Sequence, residues 1–379
     1  MAVAALFFVN GATFSNWLPR LPEIRDQLGV GNAGLGATLL GGGLGGIVGS
    51  LVVARAMGSF GSRRLLVTAA TVLSVGMPLI AFVHVAPLLL VLLTVLGTVD
   101  VFSDVAVNAQ GVTVQQQIGR SIMNRLHAMW SLGFTGGAVL GSVASAARID
   151  IRVHLAAVGI ALLATVLVVR RWLVPVDPAP EAAPPSDGEL LAPRRFATSP
   201  AMVAMAFAAM AAVALEVLPN DWAALLMRDV FDAGRFSGLG TVACAGAMLV
   251  GRLSGDHVLQ RVGEHRLLTG ALRLCLVGAV ITIVAPVTAV ALLGLVVWGL
   301  GLSVVFPQLY ATAARLPGTS AGAGLGSMLL GQRLGAMLTA VCTGAVAQWK
   351  DLRVSFAVVA FVAFVVLAVT LRRAAAAAR

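Results

Sequence analysis

Apolar residues run in blocks of about twenty along almost the whole chain, broken by short polar stretches. A helix rises ~1.5 Å per residue, so each block is long enough to cross a hydrocarbon layer ~30 Å thick. The pattern predicts twelve spans, at 1–19, 33–54, 65–84, 87–112, 122–146, 153–174, 201–225, 236–254, 266–285, 288–313, 319–346 and 353–371. Very short turns at Pro87 and Pro286 separate spans 3/4 and 9/10. The one long polar stretch, rich in proline, lies at 175–200 and reads as an extended, solvated linker. The expected organisation is therefore an N-terminal six-helix bundle at 1–174, a linker at 175–200 and a C-terminal six-helix bundle at 201–379.

Composition strengthens this picture. Residues of the AVILMFWYC set make up 59% of the 379 positions and charged residues only 11%, against about a quarter charged in soluble domains. Mean hydropathy is +0.95. Lipid must be the main solvent. The net charge of +10 sits mostly in short loops, without aromatic interleaving, and reads as topology-setting charge rather than a nucleic-acid surface. Eight basic residues fall on the side of the span 1–2 loop and seventeen on the linker side. Basic loops stay in the cytoplasm, so linker and both termini are expected there, in a multi-pass inner-membrane protein. Cys244, Cys275 and Cys342 lie in apolar segments with no metal-like or disulfide spacing. No metal or cofactor is expected.

The halves echo each other. Asn16-Trp17 and Asp221-Trp222 lie 205 residues apart, and the basic loops beginning at Phe60 and Val262 lie 202 apart, the signature of a duplicated six-span unit. Glycines recur at i, i+4, i+8 in span 2 (Gly41, Gly45, Gly49) and span 5 (Gly133, Gly137, Gly141), with further small-residue stripes in spans 8 and 11. Such stripes let helix backbones approach closely. Gly41-x-Gly43-x-x-Gly46 matches a dinucleotide fingerprint formally, but no strand precedes it.

Ionisable groups at bilayer depth are costly, and they normally face a cavity or a partner. Asp100, Asp104 and Asn108 recur at i, i+4, i+8 in span 4, along one stripe of the helix. Withdrawing a carboxylate from water penalises its charged form, which suits a group that must load and release a proton. A structural ion pair is the competing reading. Span 7 carries Glu216, Asn220 and Asp221; Glu216 is a further coupling candidate, and Asp221 lies near the interface as a gate residue. Span 1 presents Asn10, Thr13, Asn16, Trp17 and Arg20 on roughly one face. His127, Trp130 and Ser131 open span 5, and Gln308 and Tyr310, the sole tyrosine, flank Pro307 in span 10. Arg333, near the middle of span 11, requires a carboxylate partner or an anionic substrate group.

These residues resemble the major facilitator superfamily over essentially the whole chain. Its loop motif Gly-x-x-x-Asp-Arg-x-Gly-x-Arg-Arg is matched at Gly61, Arg63 and Arg64, while Ala54, Gly58 and Ser59 replace the usual Gly, Asp and Arg. The second half offers Gly251-Arg252-x-x-Gly255-Asp256 and Arg261-x-Gly263. Trp17-Leu18-Pro19-Arg20, Asp104-x-x-x-Asn108, His127-Ala128-Met129-Trp130-Ser131 and Asp221-Trp222 are similar to the fucose-permease-like branch and its bacterial inner-membrane relatives. The resemblance implies Asp104 as the proton-binding group, spans 1, 4, 7 and 10 around a central cavity, and spans 2, 5, 8 and 11 between the halves.

The expectation is a monomeric, all-α secondary transporter, not an enzyme, moving a small polar or organic solute by proton coupling and alternating access. Asp104, Asp100 and Glu216 are the coupling candidates. Asn10, Asn16, Trp17, Asn108, His127, Trp130, Gln308, Tyr310 and Arg333 are the substrate candidates. Arg20, Asp221, Gly61, Arg63, Arg64, Arg252, Asp256 and Arg261 are candidates for gating between halves. Proton-antiport efflux of a drug or secondary metabolite is the alternative, with a membrane-embedded enzyme or a non-transporting sensor behind it.

Overall fold

The computed structural model describes residues 1–120, 122–175, 199–313 and 321–377. Most of the expected linker, 176–198, lies outside the described residues. The rest forms helices joined by short turns, in the order α1 (Ala2–Ser15), α2 (Leu21–Leu28), α3 (Asn32–Gly76), α4 (Ala86–Ile118), α5 (Met123–Ala146), α6 (Ile151–Val169), α7 (Pro200–Asp229), α8 (Leu239–Val262), α9 (Glu264–Val284), α10 (Thr288–Leu302), α11 (Val305–Ala313), α12 (Ala321–Trp349) and α13 (Leu352–Ala377). Together they make twelve passes in two six-helix bundles. Nine described helical segments are long and apolar enough to span by themselves. The remaining passes are α1, which has only 14 residues, α5, which starts among polar residues, and the second pass of α3.

The differences from the expected boundaries have local causes. Span 1 ends at Ser15 rather than residue 19, because Pro19 turns the chain through a single 3-10 turn, Leu18–Arg20, into α2. Spans 2 and 3 run on as one helical segment broken only at Gly61, whose φ of 67° and ψ of 161° belong to a region open essentially to glycine alone. Span 10 breaks between α10 and α11, at Ser303 and Val304. Pro307 cannot donate to the carbonyl of Ser303 four residues back, so the ladder fails there. Asp150 caps α6 by accepting from the Arg152 amide at 2.7 Å, and Ser199 caps α7 by accepting from Met202 at 3.2 Å.

The internal repeat is legible in backbone contacts. A Cβ on Gly133 would strike the Phe8 carbonyl, and one on Gly331 would strike the Ala206 carbonyl, a shift of 198 in both partners. Gly137 against Ala12 and Ser15 maps by the same shift onto Gly335 against Met210 and Val213. With a shift of 202, Gly97 on Gly42 becomes Gly299 on Cys244, and Gly49 on Thr98 and Val101 becomes Gly251 on Leu300 and Ser303. Gly61 has its counterpart in Gly263, at φ 79° and ψ 162°. The 202 offset of the basic loops is therefore a structural equivalence. In spans 1 and 7 the packing register is 198, seven residues away from the 205 of the Asn16-Trp17/Asp221-Trp222 match.

The same contacts show which way the glycine stripes face. Gly41, Gly45 and Gly49 receive the carbonyls of Leu90, Thr94 and Thr98 in span 4, and the span 5 stripe receives span 1. These stripes weld helices inside each half. Spans 2/11 and 5/8 do form the contact between halves, but span 2 uses a different face there: Gly36 meets Ala340 and Gly344, and Gly43 meets Met337.

Candidate functional site

At the centre of the molecule, polar side chains form a continuous path across the two halves. Asn10 of span 1 donates through Nδ2 to Ser103 Oγ at 3.2 Å and to Asp100 Oδ1 at 3.5 Å, both in span 4. Its Oδ1 accepts from Trp130 Nε1 in span 5 at 2.9 Å. Buried amides are expected to be satisfied in this way. The Trp130 ring is stacked on Phe134 with centroids 5.4 Å apart, and its other contact is the guanidinium of Arg252, 5.7 Å from the ring centroid. Arg252 belongs to span 8, in the opposite half. It donates through Nη1 to Ser131 Oγ at 3.0 Å and pairs through Nη2 with Glu216 of span 7 at 3.5 Å. A cavity of about 40 Å³ lies along this junction, lined by Trp130, Ser131, Glu216, Asn220 and Arg252 among others.

Asp104, one turn beyond Asp100, is exposed and accepts from Asn108 Nδ2 at 3.2 Å. It lies near the imidazole of His127 and the guanidinium of Arg333, and Asp100 also lies near Arg333. His127 meets Phe7 edge-on at 5.3 Å and is exposed. Tyr310, 39% exposed, donates to Gln332 Oε1 at 3.1 Å. Asp104, His127 and Tyr310 are thus all exposed, on the linker side of Asp100.

The opposite side is closed by ion pairs. Arg25 in α2 binds Asp229 at the end of α7 through two bonds, 2.5 and 3.0 Å, and Arg228 binds Asp26 through two bonds, 2.7 and 3.0 Å. The same Arg-Asp dipeptide thus stands at 25–26 and 228–229, and each arginine takes the other's aspartate. Such reciprocity is what a two-fold axis between the halves produces.

A model of the Major Facilitator Superfamily matches residues 3–335. The chain belongs to that superfamily. Among its relatives it is 26% identical, over 96% of this chain and 92% of the relative, to an uncharacterised MFS-type transporter of Yersinia pestis. The crystal structure of the nucleoside transporter NupG superposes with a TM-score of 0.77 at 13% identity, covering 98% of each chain. That of FucP in the outward conformation gives 0.67 at 15%, covering 98% of this chain and 97% of FucP. At these identities the likeness to the solved structures is one of fold. As a superfamily member the protein is a multi-pass membrane transporter acting on small molecules.

The transporter brings together most, not all, of the residues singled out in its sequence. Asp100, Asp104, Asn108, Asn10, His127, Trp130, Glu216, Arg252, Tyr310 and Arg333 converge on the central region. Gln308 is buried, and no contact joins it to them among the described residues. Asn16 and Trp17 do not join them. Asn16 is 1% exposed, bonds to the Ala12 carbonyl at 2.6 Å and is wedged against Gly137 and Gly141, and Trp17 is buried. The gating set is also redistributed. Arg20 does not reach across the halves: it holds Glu23 and the Ile149 carbonyl in its own bundle. Arg63 donates to the Arg170 carbonyl in the same half. Gly61 forms the span 2–3 break, Arg64 and Arg261 are exposed, Asp221 is half-buried next to Trp222, and the side chain of Asp256 lies outside the described residues. Among the described side chains of that set, only Arg252 bridges the halves. Arg25, Asp26, Arg228 and Asp229, read in the sequence only as loop charge, make the closing contact. The repeated Arg-Asp dipeptide was the available signal.

Proposed function

We propose that this protein is a proton-coupled secondary transporter, moving a small polar solute by rocking residues 1–174 against 201–379 about the central site. The supporting observation is the polar path from Asp100 through Asn10, Trp130 and Arg252 to Glu216. It ties a carboxylate of one half to a carboxylate of the other, across the surface that must rearrange in alternating access. Asp104, exposed and, among the described residues, hydrogen-bonded through its side chain only to the amide of Asn108, is the coupling group. In this reading the linker and both termini face the cytoplasm of a bacterial inner membrane, and the Arg25–Asp229 and Arg228–Asp26 pairs close the outer side.

The test is reconstitution of the full chain into liposomes carrying a pH gradient. Asp104→Asn is expected to abolish gradient-driven accumulation while preserving exchange of labelled solute for unlabelled, because exchange needs no net proton movement. Accumulation by the variant at the wild-type level removes Asp104 from the coupling role.

A further inference from the structure

Arg333 is the one central charge whose environment the preceding reading leaves unexplained. It comes from span 11 and reaches the face of span 2 in the other half. There a Cβ on Gly46 would lie 2.9 Å from its Nη1, so a glycine is what makes room for the guanidinium. Yet Arg333 takes part in no ion pair and no hydrogen bond with the described residues. Asp100 and Asp104 face it from span 4 without touching it. An aspartate in that situation can neutralise itself by taking a proton. A guanidinium cannot lose its charge in a protein, so once those aspartates are protonated Arg333 at mid-depth needs an anion from elsewhere.

We propose that Arg333 is the anchor for an anionic group of the transported solute, so that the substrate class is small organic anions bearing a carboxylate or phosphate. This rests on the transporter reading above and adds the charge of the cargo. The groups facing the site are Asp100 and Asp104 from span 4, His127 from span 5, Glu216 from span 7, Arg252 from span 8 and Tyr310 from span 10; the face of span 2 contributes Gly46 and no charge. With three carboxylates ionised against two arginines, the centre repels an anion. Each proton loaded onto a carboxylate removes one negative charge while both arginines stay charged. Anion and proton binding therefore reinforce each other, the thermodynamic requirement for symport.

The experiment compares thermal unfolding of the purified full chain with matched neutral and anionic probes at constant ionic strength: glucose, glucuronate and glucose 6-phosphate, and propane-1,2-diol with lactate. A bound ligand raises the unfolding temperature by mass action. The expected result is stabilisation by an anionic probe and not by its neutral partner; the glucuronate and glucose 6-phosphate arms tell carboxylate from phosphate. Arg333→Gln is expected to weaken that binding by about tenfold or more, the loss of one charge-assisted contact, with Arg333→Lys intermediate. Without ligand, Arg333→Gln is expected to unfold no earlier than the wild type, since no partner is orphaned; a structural arginine would show a clear drop. Stabilisation by neutral probes alone, anion binding that survives Arg333→Gln, or no effect of any anion overturns the proposal. Proton-driven flux of a neutral solute by Arg333→Gln at the wild-type rate overturns it too, while leaving the transporter reading intact. Absence of gradient-driven flux for every probe counts against both.

Discussion

The two ion pairs that close the side opposite the linker are geometrically alike but should not contribute alike. Arg25 and Asp229 have side chains only 14% and 26% exposed, whereas Asp26, the partner of Arg228, is 62% exposed. Two-bond pairing of partly buried groups sits near the upper end of what a surface pair contributes, about 1 kcal/mol. A pair with one carboxylate mostly in water contributes a few tenths. Asp229 also accepts from Arg228 Nε at 3.2 Å, which adds to its weight. Breaking the first pair by Arg25→Gln is therefore expected to shift the closed-to-open ratio of this side by about fivefold, and Asp26→Asn by less than twofold. The assay is a distance distribution between spin labels at 148 and 235, two exposed positions in the span 5–6 and span 7–8 turns. The native cysteines, Cys244, Cys275 and Cys342, would be replaced beforehand. Arg25→Asp should open the gap further, and adding Asp229→Arg should restore it. Raising salt from about 0.1 to 1 M shortens the screening length from about 10 to 3 Å and should open the wild type toward the Arg25→Gln distribution. Equal shifts from Arg25→Gln and Asp26→Asn, or no rescue by the swapped pair, would refute the reasoning.

Adjacent glycines in span 5 give a sharp packing test: Gly137→Ala drives a Cβ into Ser15 and Asn16 and should lower stability by about 1–3 kcal/mol, while Gly136→Ala meets open space and should be neutral, both read by thermal unfolding in detergent. Trp130→Phe keeps the ring but removes the donor to Asn10 Oδ1, and leaving that buried acceptor unpaired should cost about 1–3 kcal/mol; an unchanged melting curve would mean the path is not continuous there. Arg252→Gln orphans Glu216 and should destabilise by about 1–2 kcal/mol, with Glu216→Gln restoring most of it in a double-mutant cycle.

What the sequence disclosed and what it hid follow from the range of the interactions. Asp100, Asp104 and Asn108 were readable as one stripe because helical periodicity acts over four residues. The positions of the spans were readable because the bilayer sets a minimum apolar length. The facing of the glycine stripes was not, since Gly41 and Gly43 are equally suitable for close approach and only the neighbouring helix decides which of them meets Leu90 and which meets Met337. Nor does local pattern tell a residue that reaches a neighbouring helix from one that turns back on its own. Asn10 lies within α1 and Asn16 at its C-terminal end, yet the first binds span 4 and the second its own backbone. The Arg-Asp dipeptides carry no separate local signal, because topology is already a sufficient explanation for basic residues in loops.

The repeat itself argues for where the chemistry resides. Packing contacts recur at shifts of 198 and 202, so the scaffold is two copies of one unit. The central charges do not recur. By the same shifts Asp100 and Asp104 correspond to Leu302 and Phe306, Glu216 to Leu18, Arg252 to Ser50 and Arg333 to Thr135. Each charged position has an uncharged equivalent, and the arginines all lie in one half while the span 4 acids lie in the other. A charge kept for stability alone has no reason to avoid its symmetric position, because both copies offer the same backbone environment. Charges divided between the halves interact only through the seam, and their energy changes whenever the halves move. In the proposed proton-coupled cycle, that division is what would make the opening of the molecule sensitive to a proton on one side and a counter-charge on the other, which a symmetric pair of sites, each self-compensated within its bundle, would not do.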